Sequence, residues 1–335
     1  MEKPSCSDTK VREICYRIVH SKSIIFCVEI GIFDELWDNP LSLEDISARC
    51  GIVEKTAQAL LSACMAEELV YYKDNKFYLH QIAKEYFCKN SSFSYLDFIK
   101  YLYIDLDEAR SYSNIRESLI TNVPAKLGAQ LFDKGFYSSD HAAKFSAAMV
   151  SKSLAPSMIW PDYVDLNDKR IFIDLGGGFG VHSVSACRHF PALKAYILEQ
   201  KEIISLGTEY IQKEGLEGRI EFIRCNFLID QLPEGEVYFL SDILHDWDNQ
   251  KCDLILSKVY DKLAQNGLII IHESFLNEFK NGPWLAVSYN LSMRIFSEGC
   301  QYSTNEIFEK LTSIGYKNIK YQNTFGDWGI IIAFK

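Results

Sequence analysis

The sequence predicts an α/β protein, in which a doubly wound, Rossmann-like sheet follows a helical winged-helix domain. From residue 169 onward, short apolar runs rich in β-branched residues alternate with amphipathic segments, a pattern typical of βαβ units with a parallel sheet. A glycine-rich turn follows the first of these runs. Residues 1–120 instead contain helical patterns and a hairpin. Together these observations indicate two domains with different architectures.

The N-terminal domain, residues 1–120, has the order helix, helix, hairpin. Ser42 is the predicted N-cap of the first of these helices, with Asp45 at the capping-box position, and Gly51 ends it. The next helix spans residues 54–68, and two β-rich runs follow around a polar turn at 73–76. This order is the layout of a winged helix.

A winged helix invites a DNA-binding hypothesis, which the charge pattern disfavours. The second helix carries one lysine against three glutamates, whereas a DNA-reading helix presents Arg, Lys, Asn or Gln. The net charge of −10 also opposes phosphate binding. We therefore expect no nucleic-acid partner and a structural role for this domain. A ligand-sensing regulator is the alternative that the domain leaves open.

The composition indicates a reduced, cytoplasmic protein. No apolar stretch is long enough to span a membrane, and the N-terminus carries charges where a signal peptide is apolar. The ten cysteines form no C-x-x-C pair and no cluster with histidine. We therefore expect neither disulfides nor a bound metal.

Residues 121–165 are predicted to form a helical bridge, with helical periodicity up to Pro156. Residues 166–335 form the predicted α/β domain, with a terminal hairpin that adds an antiparallel edge to the sheet. Its predicted strands span residues 170–175, 192–199, 219–225, 236–244, 267–274, 317–324 and 328–335. Its predicted helices span residues 182–190, 201–215 and 248–266.

The glycine-rich turn predicts a nucleoside ligand. Gly176, Gly178 and Gly180 let the backbone approach a ligand closely at the start of a helix, whose N-terminus favours negative charge. Val181 stands where a nicotinamide-binding fold requires glycine or alanine. Glu199 ends the second strand, where a carboxylate can accept both hydroxyls of a ribose.

From about Ile24 to Lys335 the chain resembles the class I small-molecule O-methyltransferases that depend on S-adenosylmethionine (SAM), such as caffeate, flavonoid and hydroxyindole O-methyltransferases and bacterial natural-product relatives. The segments FIDLGGGFG and SDILHDWDNQKCDLILSKVYDKLAQNG carry the resemblance in the α/β domain. Residues 28–87 match the family's winged-helix-like dimerisation domain. The resemblance implies SAM as cofactor, a small-molecule acceptor and a homodimer.

The resemblance also implies which residues hold the cofactor. They are Met149 and Ser153 near its methionine portion, Gly176, Gly178 and Gly180 as a backbone cradle, Glu199 at the ribose, Asn226, Phe227 and Trp247 around adenine, and Ser241. Two of these depart from the family pattern. Asn226 stands where the family usually has aspartate, and Ser241 stands where it often has a cationic residue, so we expect weaker but persistent cofactor binding.

His245 is the predicted general base, because a neutral imidazole can take the proton of a phenol at neutral pH. Glu273 matches the acid that orients this histidine. Asp246 either assists it or caps the helix that begins near Asp248, and the capping role is slightly favoured. The family's second carboxylate is missing, since Gln301 occupies its position, and Glu298 is a possible substitute.

The missing acid leaves an alternative open: a family member that methylates nitrogen or carbon, or one that performs non-methylating chemistry such as isomerisation or hydroxylation. For the leading interpretation, O-methylation of a phenol or enol, the helix over residues 284–299 is predicted to roof the acceptor site. The aromatic and methionine side chains expected to face a flat, aromatic secondary metabolite are Phe145, Met149, Tyr289, Met293 and Phe296.

Overall fold

The computed structural model describes residues 3–125 and 139–335. The chain divides into two compact units, Met1–Asp105 and Leu106–Lys335. This division falls before the predicted boundary at residue 120, and residues 126–138 of the predicted bridge lie outside the described residues. The three-part division of the sequence therefore stays a prediction.

The first unit has the predicted order of helix, helix and hairpin. Its elements are α1 (Thr9–Glu29), α2 (Ile32–Glu35), α3 (Leu43–Cys50), α4 (Glu54–Ala66), β1 (Val70–Lys73), β2 (Lys76–Leu79), α5 (Gln81–Tyr86), α6 (Leu96–Lys100) and a π-helical turn, Tyr101–Asp105. The capping box is confirmed, because the Ser42 side chain accepts from the Asp45 backbone N–H and Asp45 bonds back to Ser42. Gly51 ends α3 with a left-handed φ of 67°.

The second unit is a seven-stranded sheet with helices on both faces. Its elements are α7 (Tyr112–Thr121), α8 (Ser139–Ile159), β3 (Ile171–Leu175), α9 (Val181–His189), β4 (Lys194–Glu199), α10 (Lys201–Lys213), β5 (Ile220–Arg224), β6 (Gly235–Ser241), α11 (Asn249–Lys262), β7 (Leu263–Glu273), α12 (Trp284–Phe296), α13 (Thr304–Ile314), β8 (Lys317–Asn323) and β9 (Gly329–Phe334).

The strand order is β5-β4-β3-β6-β7-β9-β8. The first five strands of this order run parallel, and β9 pairs antiparallel with both β7 and β8. The order reverses at β3, and such a switch point opens a crevice at the carboxyl ends of the strands. The predicted fold class, including the antiparallel edge, is confirmed.

The central strands of the sheet are buried on both sides, as in other doubly wound sheets. Along β6, Tyr238 and Leu240 belong to one apolar cluster, while Val237 and Phe239 belong to another. Successive side chains of a strand point to opposite faces, so these clusters are the two cores that clamp β6 in the centre. This packing holds the carboxyl ends of β3, β4, β6 and β7 in place.

Three predicted element boundaries were wrong. The helix predicted over residues 248–266 ends at Lys262, and β7 begins at Leu263. Helix α8 continues through Pro156 to Ile159. Proline removes a single backbone donor, and α8 keeps its path because it packs along α9 and α10. The strand predicted over residues 236–244 ends at Ser241, because Asp242 adopts a left-handed φ of 54° and turns the chain away from the sheet.

Candidate active site

The predicted site residues meet at the carboxyl edge of the sheet. Gly176 directly follows β3, Glu199 ends β4, Asn226 follows β5, Ser241 ends β6 and Glu273 ends β7. Parallel strands bring these ends together although the residues are far apart in sequence.

The glycine turn leaves open space on one side. Gly176, Gly178 and Gly180 have φ of 68°, 57° and 87°, which disfavour any side chain. A Cβ on Gly176 would lie 2.5 Å from Ile243 Cδ1, and one on Gly180 would lie 2.3 Å from Ile197 Cδ1. No described atom lies within 4 Å of a Cβ placed on Gly178. Packing therefore requires glycine at positions 176 and 180, whereas Gly178 faces open space that a ligand could occupy.

Glu199 stands beside this space with its carboxylate already oriented. Oε1 accepts from the Gly178 backbone N–H at 3.1 Å, and Oε2 accepts from the Gln200 N–H at 2.6 Å. Burial raises the pKa of Glu199 to about 7. Each carboxylate oxygen keeps a further lone pair, so the residue can accept the two hydroxyls of a ribose. This arrangement fits a nucleoside cofactor such as SAM.

Asp174, in the strand before the turn, supports the loop from behind. Its Oδ2 accepts from Ser183 Oγ at 2.6 Å, and a Cβ on Gly177 would lie 2.4 Å from its Cγ. Burial raises the pKa of Asp174 to about 7. The sequence contained this residue in the motif, but only its contacts reveal the supporting role.

The residues assigned to adenine also lie together. The rings of Phe227 and Trp247 meet edge to face, with centroids 5.9 Å apart. The Asn226 side-chain oxygen accepts from the Leu228 N–H at 3.1 Å, which shapes the turn after β5. The Ser241 hydroxyl lies 2.9 Å from Nδ1 of His272. On α8, Ser153 is buried and Met149 is partly buried.

His245 lies in a single 3-10 turn, Leu244–Asp246, shortly after β6, and is 3% exposed. Three carboxyl groups surround its ring. Nδ1 lies 3.6 Å from Oδ1 of Asp242 and 3.7 Å from Oε2 of Glu273, and Nε2 lies 3.8 Å from Oδ1 of Asp246. Burial lowers the pKa of His245 to about 4, so the imidazole is neutral at pH 7.

Glu273 is oriented by hydrogen bonds. Oε1 accepts from the Leu244 N–H at 3.0 Å, and Oε2 accepts from the Gln301 side-chain amide at 3.2 Å. Gln301 also donates to the Ser274 carbonyl. Burial raises the pKa of Glu273 to about 8. Glu298, considered above as a substitute for the missing acid, instead forms an ion pair with Lys251 at 2.6 Å.

The capping role that was slightly favoured for Asp246 is wrong. Asp248 caps α11, because its Oδ1 accepts from the Lys251 N–H at 2.8 Å. Asp246 lies in the 3-10 turn, two residues too early for that bond, and its side chain is 12% exposed beside His245. Burial raises the pKa of Asp246 well above its ordinary value.

Sequence reasoning missed a buried ion pair beside the base. Lys152 Nζ lies 2.5 Å from Oδ2 of Asp242 and 2.5 Å from the Tyr289 hydroxyl. The signal in the sequence was a charged side chain directly before Ser153, on the same helical segment as Met149. Gly299 was missed as well: a Cβ there would lie 2.1 Å from the His245 carbonyl oxygen.

The predicted acceptor residues lie on α8 and α12, which the Lys152–Tyr289 contact joins. The Tyr289 ring centroid is 5.5 Å from that of His245. The Arg110 guanidinium lies 5.6 Å from the centre of the Phe296 ring, and Met293 Sδ lies 3.8 Å from Ser297 Oγ. Phe145 on α8 is partly buried.

The glycine turn, the carboxylate at the second strand and the switch point define an α/β protein of the nucleoside-binding kind. Residues 114–317 match the family model of the O-methyltransferase domain. The match covers more than half of the chain, so the chain belongs to the O-methyltransferase family, whose members are SAM-dependent enzymes that methylate small molecules.

Relatives of known function match over most of the chain. Acetylserotonin O-methyltransferase of Gallus gallus is 29% identical over 319 residues, covering 91% of this chain and 90% of the relative. The 3-hydroxy-5-methyl-1-naphthoate 3-O-methyltransferase of Streptomyces sahachiroi is 24% identical, covering 93% and 90%.

The fold is also that of solved methyltransferases. Human N-acetylserotonin methyltransferase in complex with SAM superposes with a TM-score of 0.82 at 23% identity, covering 99% of both chains. PigF with SAH superposes with a TM-score of 0.81 at 18% identity, covering 98% of this chain and 100% of that one.

Among the described residues, no helix combines the length and apolarity needed to cross a bilayer.

Proposed function

We propose that the enzyme transfers the SAM methyl group to a phenolic or enolic hydroxyl of a small aromatic molecule, with His245 as general base. One observation carries the proposal. A buried, neutral imidazole lies at the carboxyl edge of the sheet, with carboxyl groups facing its Nδ1. That edge also holds the open glycine turn and Glu199.

When bound, SAM supplies an electrophilic methyl group. The protein must hold the acceptor oxygen in line with that group and remove its proton. His245 suits the second task, because carboxyl groups at Nδ1 favour a proton there and leave the Nε2 lone pair available. The hydroxyl proton then moves to Nε2, and negative charge beside Nδ1 stabilises the resulting imidazolium.

The cofactor would be held by the residues assigned to it from the sequence. Gly178 faces open space for it, Gly176 and Gly180 hold the turn in shape, and Glu199 would accept its ribose hydroxyls. The edge-to-face rings of Phe227 and Trp247 and the adjacent Asn226 suit the adenine. Ser241 and, on α8, Met149 and Ser153 complete the proposed set.

The acceptor would lie between α8 and α12. One side would be formed by Tyr289, whose ring lies beside His245, with Met293 and Phe296. Phe145 and Met149 would face them. Aromatic and thioether groups suit a flat aromatic ring. The names of relatives point the same way, since two of them act on a hydroxynaphthoate and on acetylserotonin.

The test combines calorimetry with product mass. The protein is titrated with SAM and with S-adenosylhomocysteine, then incubated with SAM and a panel of hydroxyindoles, hydroxynaphthoates and substituted phenols. We expect micromolar binding of both ligands and a product heavier by one methyl on oxygen. Binding without methyl gain on any hydroxyl would contradict O-methylation, and absence of binding would contradict the whole proposal.

N-methylation is a second candidate with a specific observation behind it. The N,N-dimethyltransferase OxyT of Streptomyces rimosus is 23% identical, covering 94% of this chain and 93% of the relative. An amide, Gln301, also replaces the family's second carboxylate, which weakens the support for a strong base. The same assay with arylamines distinguishes the candidates by the atom that gains the methyl group.

We further propose a homodimer formed through the N-terminal unit. Helix α1 exposes apolar side chains, with Ile14 62% and Ile18 70% exposed, and such surface favours association. Light scattering should show the mass of a dimer, reduced to that of a monomer by Ile14→Glu with Ile18→Glu. Ile229→Glu, at a position 78% exposed in the other unit, is the control. A monomeric wild type would contradict the proposal.

A further inference from the structure

We propose that Asp242, anchored by Lys152, is the carboxylate that positions His245 and keeps its Nε2 available to the acceptor. This proposal rests on the proposed role of His245 as base. It assigns to Asp242 the charge that the family's second acid would supply, since Gln301 cannot supply it.

Asp242 is held by an ion pair at one carboxylate oxygen and by a hydrogen bond at its backbone, and its other carboxylate oxygen faces His245. Oδ2 is 2.5 Å from Lys152 Nζ, and Oδ1 is 3.6 Å from Nδ1 of His245. Its N–H donates to the His272 carbonyl at 3.2 Å, in a backbone conformation with φ of 54°. Its side chain is 15% exposed. The carboxylate therefore points at Nδ1 with little freedom to turn away, and such contacts tighten when substrate binds.

Glu273 is the competing carboxyl group at Nδ1, 3.7 Å away. Its environment differs, because no Lys or Arg side chain is paired with it among the described residues. Its partners are the Leu244 N–H and the Gln301 amide. Burial raises the pKa of Glu273 to about 8, which disfavours its charged form near neutral pH. Asp242 instead lies 2.5 Å from the Lys152 ammonium, whose side chain is itself buried.

Lys152 links this carboxylate to the acceptor side. It is 4% exposed, and its Nζ contacts the Tyr289 hydroxyl and lies 5.3 Å from the Trp328 ring centre. Tyr289 in turn packs its ring against His245. The lysine, the tyrosine and the carboxylate thus form one buried unit around the base, assembled from α8, α12 and the end of β6.

The remaining group near the ring is Asp246, which faces Nε2 at 3.8 Å. Burial raises its pKa well above the ordinary value, which disfavours a competing negative charge at Nε2. The charge distribution therefore favours the tautomer with the proton on Nδ1. Removing the charge of Asp242 removes that preference.

The test reads the tautomer directly. The full chain carrying ¹⁵N-histidine is examined by NMR at pH 7, and the His245 signals are assigned by their loss in His245→Gln. We expect the Nδ1–H tautomer in the wild type and a mixture of tautomers in Asp242→Asn. Asparagine tolerates the left-handed backbone, and its kcat should fall on the order of 100-fold or more, with SAM affinity changed less than about twofold.

Three variants sharpen the test. Asp253→Asn removes a carboxylate that is 55% exposed and paired with Lys310, and it should change neither the tautomer nor the rate. Asp242→Glu keeps the charge and should recover part of the rate. If Asp242→Asn fails to fold, Asp242→Asn combined with Lys152→Met removes both buried charges and should show the same mixed tautomers.

An unchanged tautomer in Asp242→Asn, or loss of the preference in Glu273→Gln alone, would overturn the proposal while leaving His245 as base. Wild-type activity in His245→Gln would instead refute the base itself, and this inference with it.

Discussion

The cofactor region and the base region share one edge of the sheet but are built differently. The proposed cofactor region comprises residues 174–180 with Glu199, Asn226 and Phe227. It offers backbone N–H groups, the carboxyl groups of Asp174 and Glu199, and open space. The base region comprises Lys152, Asp242, His245, Glu273 and Tyr289; it is closed and crowded with ionisable groups. In the proposed function, the first region receives the cofactor and the second controls a proton.

The regions also differ in how the chain assembles them. The glycine turn follows β3 and Glu199 ends the adjacent strand β4, so each lies at the end of its own strand. The base region needs α8, α12 and the ends of β6 and β7 together. Ligand binding should therefore depend on single local residues, and catalysis on contacts between distant elements.

His245→Gln should produce the largest difference between the effect on turnover and the effect on SAM affinity. Loss of a general base typically lowers the rate by about 10²–10⁴-fold, whereas SAM affinity should stay within about twofold. Turnover with an accepted phenol and calorimetry with SAM measure the two effects. His189→Gln, at a position whose side chain is 41% exposed, is the matched control. Equal losses of binding and turnover would mean that the regions are not independent.

Glu199→Ala should have the opposite effect and weaken cofactor binding more than turnover. Charge-assisted hydrogen bonds contribute about 1.5–3 kcal/mol, so affinity for SAM and its demethylated product should fall roughly 10- to 150-fold. Turnover at saturating SAM should change much less. Glu209→Ala, at an exposed position on α10, controls for loss of surface charge. Unchanged affinity would remove Glu199 from the cofactor site.

Gly299→Ala should damage the base region by packing alone. The added methyl would lie 2.1 Å from the His245 carbonyl and 2.6 Å from the Trp247 nitrogen, so the turn must shift, at a cost of about 1–3 kcal/mol. Urea unfolding measures this loss, and turnover should fall as well. A Cβ on Gly218 meets no described atom within 4 Å, so Gly218→Ala is the control; equal stability of the two variants would contradict the expected clash.

The smallest effect should be a pH dependence confined to the cofactor region. Burial raises the pKa of Glu199 from 4.5 to about 7, so the cofactor-free fold loses stability as pH rises through this window. The ionised carboxylate accepts ribose hydroxyls more strongly. SAM affinity should therefore rise about tenfold from pH 6 to pH 8. Calorimetry on Glu199→Gln should show a flatter profile, and parallel profiles would contradict the assignment.

The comparison of regions also explains which predictions could be made from the sequence. The capping box at Ser42, the parallel sheet with its antiparallel edge and the placement of Glu199 and Glu273 at strand ends follow from local patterns and from parallel pairing. Lys152 and Gly299 could not be assigned, because their significance lies in contacts with residues far away in the chain. The capping role predicted for Asp246 was wrong because the helix begins at Asn249, so Asp248 is its N-cap. The turn after β6 decides at which residue this helix begins.

The sequence by itself determined the fold class, the glycine turn and its acid, because apolar periodicity and glycine positions act through neighbouring residues. It also indicated His245 as base through a family resemblance. The tertiary structure alone decided which charges surround that histidine. Electrostatic interactions depend on distance and burial, and a lysine on α8 and an aspartate after β6 become partners only when the helix packs across the end of the sheet.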